Sequence, residues 1–413
     1  MAKIIPFRAV RPLKKYVKKM ASYPYDVVDS REARKLARKN KRSFLHVIKA
    51  EIDLPEDIDS YDDRVYETAR KNLFNYLKEG SLFQETKECF YVYRQKMGDH
   101  EQNGIVACID TLDYIAGYVK KHELTRTDKE ADRTKHIDVL NAQTGPVFLT
   151  YRALETVDSI VESIVRKKPD YDFVADDGIA HTAWIVDDEE IISDLRVAFL
   201  KRGALYIADG HHRAASAVAV ARMRRRENPD HNGEEEYNRM MAVIFPHNQL
   251  KIMDYNRLVR DLNGMTEEEF LKGVSENFVV TPGYKKKAPQ KLHEFGMYLG
   301  KTWYRLRARD ESYDESDVVR ALDVSILQNH VLTPLLGIGD VRTDERIAFV
   351  GGIWGMKRLE ESVDSGEFAV AFSVYPTAMD QLMAVSNAGK IMPPKSTWFE
   401  PKLRSGLFVH LLD

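Results

Sequence analysis

Apolar residues recur along this chain with a helical period in some stretches and a strand period in others. Val65, Ala69, Leu73 and Leu77 lie on one stripe between residues 61 and 79, and Gly80 follows as a stop, which predicts a helix packed on one face. Ser30 to Asn40 reads as a second helix, with Ser30 as its N-cap and Ala33, Leu36 and Ala37 facing inward. The short runs Ser43–Ile48, Cys89–Tyr93 and Gly104–Ile109 read as strands, and Ile115–Val119 as a strand end.

The middle third alternates most clearly. A strand at 147–151 precedes a helix face of Leu154, Val157, Ile160, Val161, Ile164 and Val165. Tyr171–Ala175 and Ala180–Val186 flank Asp176-Asp177-Gly178, a hairpin turn. Asp188 caps a predicted helix over 189–201, ended by Gly203. Leu205-Tyr206-Ile207 is a predicted strand, Ala214–Met223 a helix, and Met240–Phe245 a strand closed by Pro246. In the last third a Gly/Lys turn joins 297–299 to 303–306, a helix covers 317–331, and strands at 347–350 and 368–375 each precede a helix. The pattern is mixed α/β, with a parallel crossover around helix 214–223 as one arrangement. It divides into an N-terminal α/β lobe over 1–145, a core over 146–247 and a C-terminal α/β lobe over 248–413.

Composition narrows the class. A chain of 413 residues suggests more than one domain, and 44% hydrophobic residues supply a core. Lys and Arg number 62 against 64 Asp and Glu, a net charge of -2, so no basic excess points to nucleic acid. Cys89 and Cys108 are the only cysteines, which fits a reducing cytosol and excludes a cysteine-rich zinc site. No apolar run is long enough to span a bilayer, and the first residues lack a signal-peptide core. The expectation is a soluble cytoplasmic protein without a membrane or nucleic-acid partner.

The densest chemistry lies at Ala208-Asp209-Gly210-His211-His212-Arg213. A strand, a tight glycine turn and a helix present free N–H groups and the positive end of a macrodipole, an anion site. Gly210 allows close backbone approach, and Arg213 can grip phosphate with a planar fork. Asp209 is out of place among these donors unless it serves a metal or a proton. The plainer reading is a surface helix start capped by Asp209; the strand before and helix after weigh against it. The tail Arg222, Arg224, Arg225 and Arg226 reads as a solvated last turn.

Lys121-His122-Glu123-Leu124-Thr125-Arg126 continues through Lys129, Asp132, Arg133 and His136. Charge alone favours a solvated helix here, yet Glu123 is the best candidate in the stretch for accepting a hydroxyl proton. His181 and Ala183 share one strand face and Thr182 and Trp184 the other. Lys395-Ser396-Thr397 resembles the end of a P-loop, but the upstream glycines are missing, so a Walker site is rejected. No metalloprotease helix, nucleophile elbow or Rossmann fingerprint is present.

The Asp209–Arg213 turn resembles the phosphate motif of the ParB/sulfiredoxin nucleotide-binding superfamily. With Ile5-Pro6-Phe7-Arg8-Ala9-Val10-Arg11-Pro12, Tyr23-Pro24-Tyr25-Asp26-Val27-Val28, Lys121-His122-Glu123, Pro146-Val147-Phe148-Leu149 and Met392-Pro393-Pro394-Lys395-Ser396-Thr397, the chain is similar, nearly end to end, to domain-of-unknown-function family 1015. The resemblance implies a ParB/sulfiredoxin-like nucleotide-binding core with additional α/β lobes. That superfamily holds sulfiredoxins, ParB clamps and kinases of free L-serine. A sulfiredoxin needs a Cys where His211 and His212 stand, and a ParB clamp needs a basic helix-turn-helix reader that is not found here. Free-serine kinases keep Asp-Gly-His-His-Arg, as this chain does.

The implied activity is therefore phosphoryl transfer from ATP or ADP, with Mg²⁺, to a small hydroxyl amino acid, free L-serine giving O-phosphoserine. Gly210, His211, His212 and Arg213 would bind phosphate, and Asp209 would hold the metal or orient the hydroxyl. By residue type, Glu123 is the general base, and His122, Arg126, His181 and Lys395 are candidates for binding the amino acid. The alternative is a nucleotide-binding regulator of the ParB type without turnover. A third, a phosphate-site hydrolase, needs the same cradle. The donor, the acceptor, the oligomeric state and whether Glu123 shares a site with Asp209 stay open at this stage.

Overall fold

The alternation read along the middle of the chain builds one wide mixed sheet in a computed structural model, which describes residues 2–200 and 203–413. The chain forms two compact units, Met1–Leu250 with Pro401–Asp413, and Lys251–Glu400.

The sheet of the first unit has nine strands: β1 (Ile4–Ile5), β2 (Phe90–Met97), β3 (His100–Asp110), β4 (Val119–Lys120), β5 (Val147–Tyr151), β6 (Tyr171–Val174), β7 (Ala180–Val186), β8 (Leu205–Asp209) and β9 (Arg239–Pro246). Their order is β4-β8-β5-β9-β3-β2-β7-β6, with β1 on β3. The central strands read as continuous apolar runs because both faces are covered. Ile105, Ala107 and Ile109 of β3 and Met240, Ala242 and Ile244 of β9 join one core cluster, while Val106, Cys108, Met241 and Val243 are equally buried on the other face.

Helices α1 (Ser30–Ala37), α2 (Asp63–Lys78), α3 (Thr127–Leu140), α4 (Glu155–Val165), α5 (Glu189–Leu200) and α6 (His211–Glu227) surround the sheet. Val157, Val161 and Ile164 of α4 and Leu195 and Phe199 of α5 pack into the cluster that holds β3 and β9. Helix α6 buries Ala214, Ala215, Ser216, Ala217, Val218, Val220 and Ala221 almost all round, as an internal helix does.

The cap of α1 is Asp29, which accepts from the Glu32 N–H at 2.8 Å; the Ser30 hydroxyl donates to Glu51 instead. Residues 45–48 form a helical turn, because the short apolar run around His46 (Leu45, Val47, Ile48) carries no period to distinguish it from a strand. Residues 111–115 are helical, and the expected helix 317–331 shrinks to Asp323–Leu327 followed by a wider turn over Gln328–Leu332. The expected last residue of α5, Lys201, lies outside the described residues. The motif helix does not make a parallel crossover: β8 is antiparallel to β5 and β5 is parallel to β9, so α6 joins two antiparallel strands that flank β5.

The expected boundary after residue 145 falls inside the nine-stranded sheet, since β5 and β9 lie between β8 and β3. The segment 401–413 also belongs to the first unit, not to a C-terminal lobe. In the second unit an all-antiparallel sheet contains β10 (Tyr255–Val259), β11 (Phe278–Pro282), β12 (Glu294–Leu299), β13 (Thr302–Ala308), β14 (Ile347–Gly351) and β15 (Val370–Val374), ordered β11-β13-β12-β15-β10-β14. Its helices are α7 (Glu267–Asn277), α8 (Gly355–Asp364) and α9 (Met379–Asn387), and Lys251–Met253 pairs with Trp398–Glu400. Among the described residues no helix is long and apolar enough to cross a membrane.

Candidate phosphate site

The register of β8 sets the turn. Ile207 pairs with Leu149, but Asp209 pairs with Phe148, so Ala208 is the extra residue of a bulge. A bulge bends the strand and re-aims the side chain after it, here Asp209. Gly210 then adopts φ 92°, ψ 34° and opens α6. A Cβ at Gly210 would also lie 2.9 Å from the Arg213 guanidinium carbon, so both conformation and space require glycine. No side chain caps α6, a helix of 17 residues. Its first-turn amides and dipole are thus offered to a ligand.

Topology brings three other segments to this end of β8. Strand β4 runs parallel to it, Leu205 opposite Val119, so the residues after β4 leave the sheet beside the turn. Strand β5 runs antiparallel, so its start arrives there, and the Pro146 carbonyl accepts from Arg213. The segment 401–413 supplies Lys402, whose Nζ is 3.2 Å from Asp209 Oδ2.

Asp209 Oδ1 accepts from the Gly210 N–H at 2.8 Å, and Oδ2 lies 3.7 Å from Arg213. Burial opposes ionisation, but Lys402 and Arg213 outweigh it and hold the Asp209 pKa below the usual carboxylate range. The side chain keeps 29% of its surface exposed, so an ionised oxygen donor is accessible. Arg213 also stands 3.8 Å from Asp26.

The residues after β4 answer a question the sequence left open: Glu123 reaches the turn. Its Oε2 is 3.8 Å from His211 Nδ1, and the rings of His122 and His211 meet edge-on with centroids 4.4 Å apart. The His122 amide approaches His211 Nε2 at 3.5 Å, and the Arg126 amide donates to His212 Nε2 at 3.0 Å. Burial pushes His122 down to about 4, and burial together with His122 holds His211 well below the ordinary histidine value. Burial lowers His212 as well. Ligand atoms of His122, Glu123 and His211 lie within 4.8 Å of one another, a donor set of the kind divalent metals use.

The remaining candidates lie differently. The Arg126 guanidinium pairs with Asp128 at 2.9 Å and is 55% exposed, so only its backbone touches the turn. His181 is engaged elsewhere, with Nδ1 on the Tyr93 hydroxyl at 2.7 Å and Nε2 facing Arg404 at 3.3 Å. Lys395 belongs to the second unit, in the left-handed conformation with its ammonium 5.8 Å from the Tyr255 ring centroid. The stretch 121–136 is not a solvated face, for Asp132 and His136 are buried.

Two residues at the turn escaped sequence reasoning. Asp26 sits within the quoted Tyr23–Val28 segment, where a carboxylate after Pro-Tyr was a usable signal. Nothing in the local pattern separates Lys402 from other lysines.

No curated protein matches the chain. Among solved structures, a conserved hypothetical protein from Pyrococcus furiosus is 14% identical with a TM-score of 0.34, covering 75% of this chain and 95% of that one. SbnI with a C-terminal truncation, from Staphylococcus aureus, is 12% identical with a TM-score of 0.40, over 74% and 87%. A free serine kinase in complex with AMP is 14% identical with a TM-score of 0.37, over 75% and 92%. Residues 4–325 match the family described as "Protein of unknown function (DUF1015)", a stretch that includes the bulged strand, the Gly210 turn and the His122–Glu123 segment beside it. The chain is a member of the DUF1015 family.

Proposed function

We propose that the protein is a nucleotide-dependent kinase of a small hydroxyl amino acid, with free L-serine as acceptor and O-phosphoserine as product. The observation that carries this reading is the uncapped N-terminus of α6 at Gly210, with an ionised Asp209 just before it and Glu123 3.8 Å from His211 in its first turn. A bare anion-binding protein has no use for two carboxylates beside its phosphate cradle, whereas phosphoryl transfer needs a base and a metal ligand. The Asp209–Arg213 turn resembles that of free-serine kinases, which points to the acceptor.

Backbone amides of the first turn of α6 hold the phosphates, Arg213 offsets their charge, and His212, whose Nε2 accepts from the Arg126 amide, has its Nδ1–H to donate. His211, neutral and buried, positions Glu123 toward the acceptor hydroxyl. The hydroxyl oxygen attacks the terminal phosphorus of ATP or ADP, its proton passes to Glu123, and the bond to the bridging oxygen breaks to release ADP or AMP. Asp209 is the residue that would hold Mg²⁺, since an accessible ionised carboxylate suits an ion that takes one or two carboxylates plus phosphate oxygens. When bound, the ion neutralises phosphate charge.

The test is direct. Purified protein with Mg²⁺, L-serine and ATP or ADP in turn is assayed for O-phosphoserine by mass spectrometry. Product that disappears in Asp209→Asn is the expected result. Nucleotide binding without product from either donor would sink the kinase and favour a nucleotide-binding regulator.

A further inference from the structure

A pocket of about 30 Å³ lies behind Arg213, between the start of β5 and helix α3. Its size admits two water-sized groups, such as the oxygens of one carboxylate. Two guanidinium groups line it, those of Arg133 and Arg213. Arg213 is 8% exposed, and its buried Nε has no hydrogen-bond partner. Arg133 uses its Nε on Asp132 at 2.8 Å and lies over the Tyr25 ring with 4.3 Å to the centroid. Among the described residues its terminal nitrogens have no protein partner, nor do the hydroxyls of Tyr25, Thr144 and Ser405, which also line the pocket. Ile48 and Val147 give it apolar walls, where a charge-assisted hydrogen bond gains strength.

We propose that this pocket is the subsite for the α-carboxylate of an amino-acid substrate, held by the Arg133 fork with Arg213 behind it. The assignment rests on the kinase reading for the identity of the amino acid, not for the existence of the subsite. A guanidinium fork with its terminal nitrogens unengaged binds carboxylate in a planar, bidentate manner. Charge favours a zwitterion over a simple anion. Asp132, also bonded by Tyr66 at 2.8 Å, already offsets Arg133, and Asp26, which stands outside the pocket lining 3.8 Å from Arg213, is a carboxylate available to an ammonium. The subsite thus replaces Arg126 and Lys395 as the place where the acceptor's carboxylate is read.

Gly145 supplies a test that leaves the charges alone. Its φ is not in the left-handed region, and a Cβ there would sit 3.6 Å from Ser405 Oγ and 3.7 Å from Arg213 Cδ, in ordinary contact and inside the pocket. Gly145→Ala should therefore fold and fill the space. Arg133→Gln removes the fork but leaves Asp132 buried without its ion-pair partner, bonded only by Tyr66, so the two variants are read together.

L-Serine binding is measured by calorimetry on the full chain, nucleotide binding separately, and O-phosphoserine formation in parallel. We expect both variants to weaken L-serine binding, or raise its KM, by about tenfold to a hundredfold, with nucleotide affinity unchanged. Unchanged L-serine affinity or KM in both variants overturns the subsite and leaves the kinase standing. Loss of nucleotide affinity in place of L-serine affinity also overturns it, assigning the pocket to phosphate. If the parent protein makes no O-phosphoserine yet binds L-serine, and both variants lose that binding, the kinase fails and the subsite holds. A parent that binds no L-serine at all overturns both the L-serine kinase and the assignment of this pocket to L-serine.

Discussion

Glu123 and His211 carry the sharpest residue-scale test. The carboxylate lies 3.8 Å from a histidine held neutral by burial, so the pair cannot be an ordinary ion pair at neutral pH. If Glu123 takes the hydroxyl proton, Glu123→Gln lowers kcat by about a hundredfold to ten-thousandfold with nucleotide affinity intact. Full turnover in that variant would remove the base assignment. His136 allows a test of stability. Its Nε2 meets the Val47 carbonyl at 3.1 Å, and burial together with Arg133 pushes it down to about 3. An unfolded histidine titrates near about 6.5, so below that pH the unfolded chain takes up a proton that the folded chain refuses. The contribution is complete above the unfolded value and is lost as pH falls toward the folded one. Between about pH 7.5 and about pH 5 the loss is about 2 kcal/mol. Urea unfolding at both pH values should show the parent losing that much more than His136→Gln; equal losses would mean His136 is charged when folded.

At the scale of elements, the start of α6 matters most. Its left-handed glycine costs a substituted side chain about 1 to 2 kcal/mol, and the approach of Arg213 adds to that. Gly210→Ala should lower thermal stability and weaken nucleotide binding together, because the backbone that turns is the backbone that binds. A variant that keeps parental nucleotide affinity would show that the first-turn amides do not hold the phosphates. This element was legible in the sequence, since Asp-Gly before an Ala-rich run specifies both turn and helix start. Helix α2 and the hairpin around Gly178 were legible for the same reason, a clear period ended by glycine. The helical turn at 45–48 was not, because Leu45, Val47 and Ile48 are buried around a half-buried His46 and so short a run has no period to show.

For the whole molecule, legibility stopped where pairing becomes non-local. No periodicity announces that β5 inserts between β8 and β9, so the division at residue 145 cut through one sheet. Half of the site was readable as motif, in Asp209–Arg213 and His122–Glu123. The rest depends on which segments end at the same edge, and Asp26 and Lys402 are brought there only by the completed fold.

The return of residues 401–413 to the first unit bears on the order in which the molecule can mature. During synthesis the sheet, the turn and the His122–Glu123 segment emerge before any of Lys251–Glu400, while the lysine that neutralises Asp209 emerges after all of it. Until then a half-buried carboxylate faces Arg213 alone. The intervening unit limits the delay by its own geometry: its two ends, Lys251–Met253 and Trp398–Glu400, zip together as neighbouring strands. Once that stem forms, the long excursion no longer counts as an open loop, and the closure entropy that would separate Lys402 from its carboxylate falls to that of a short tether.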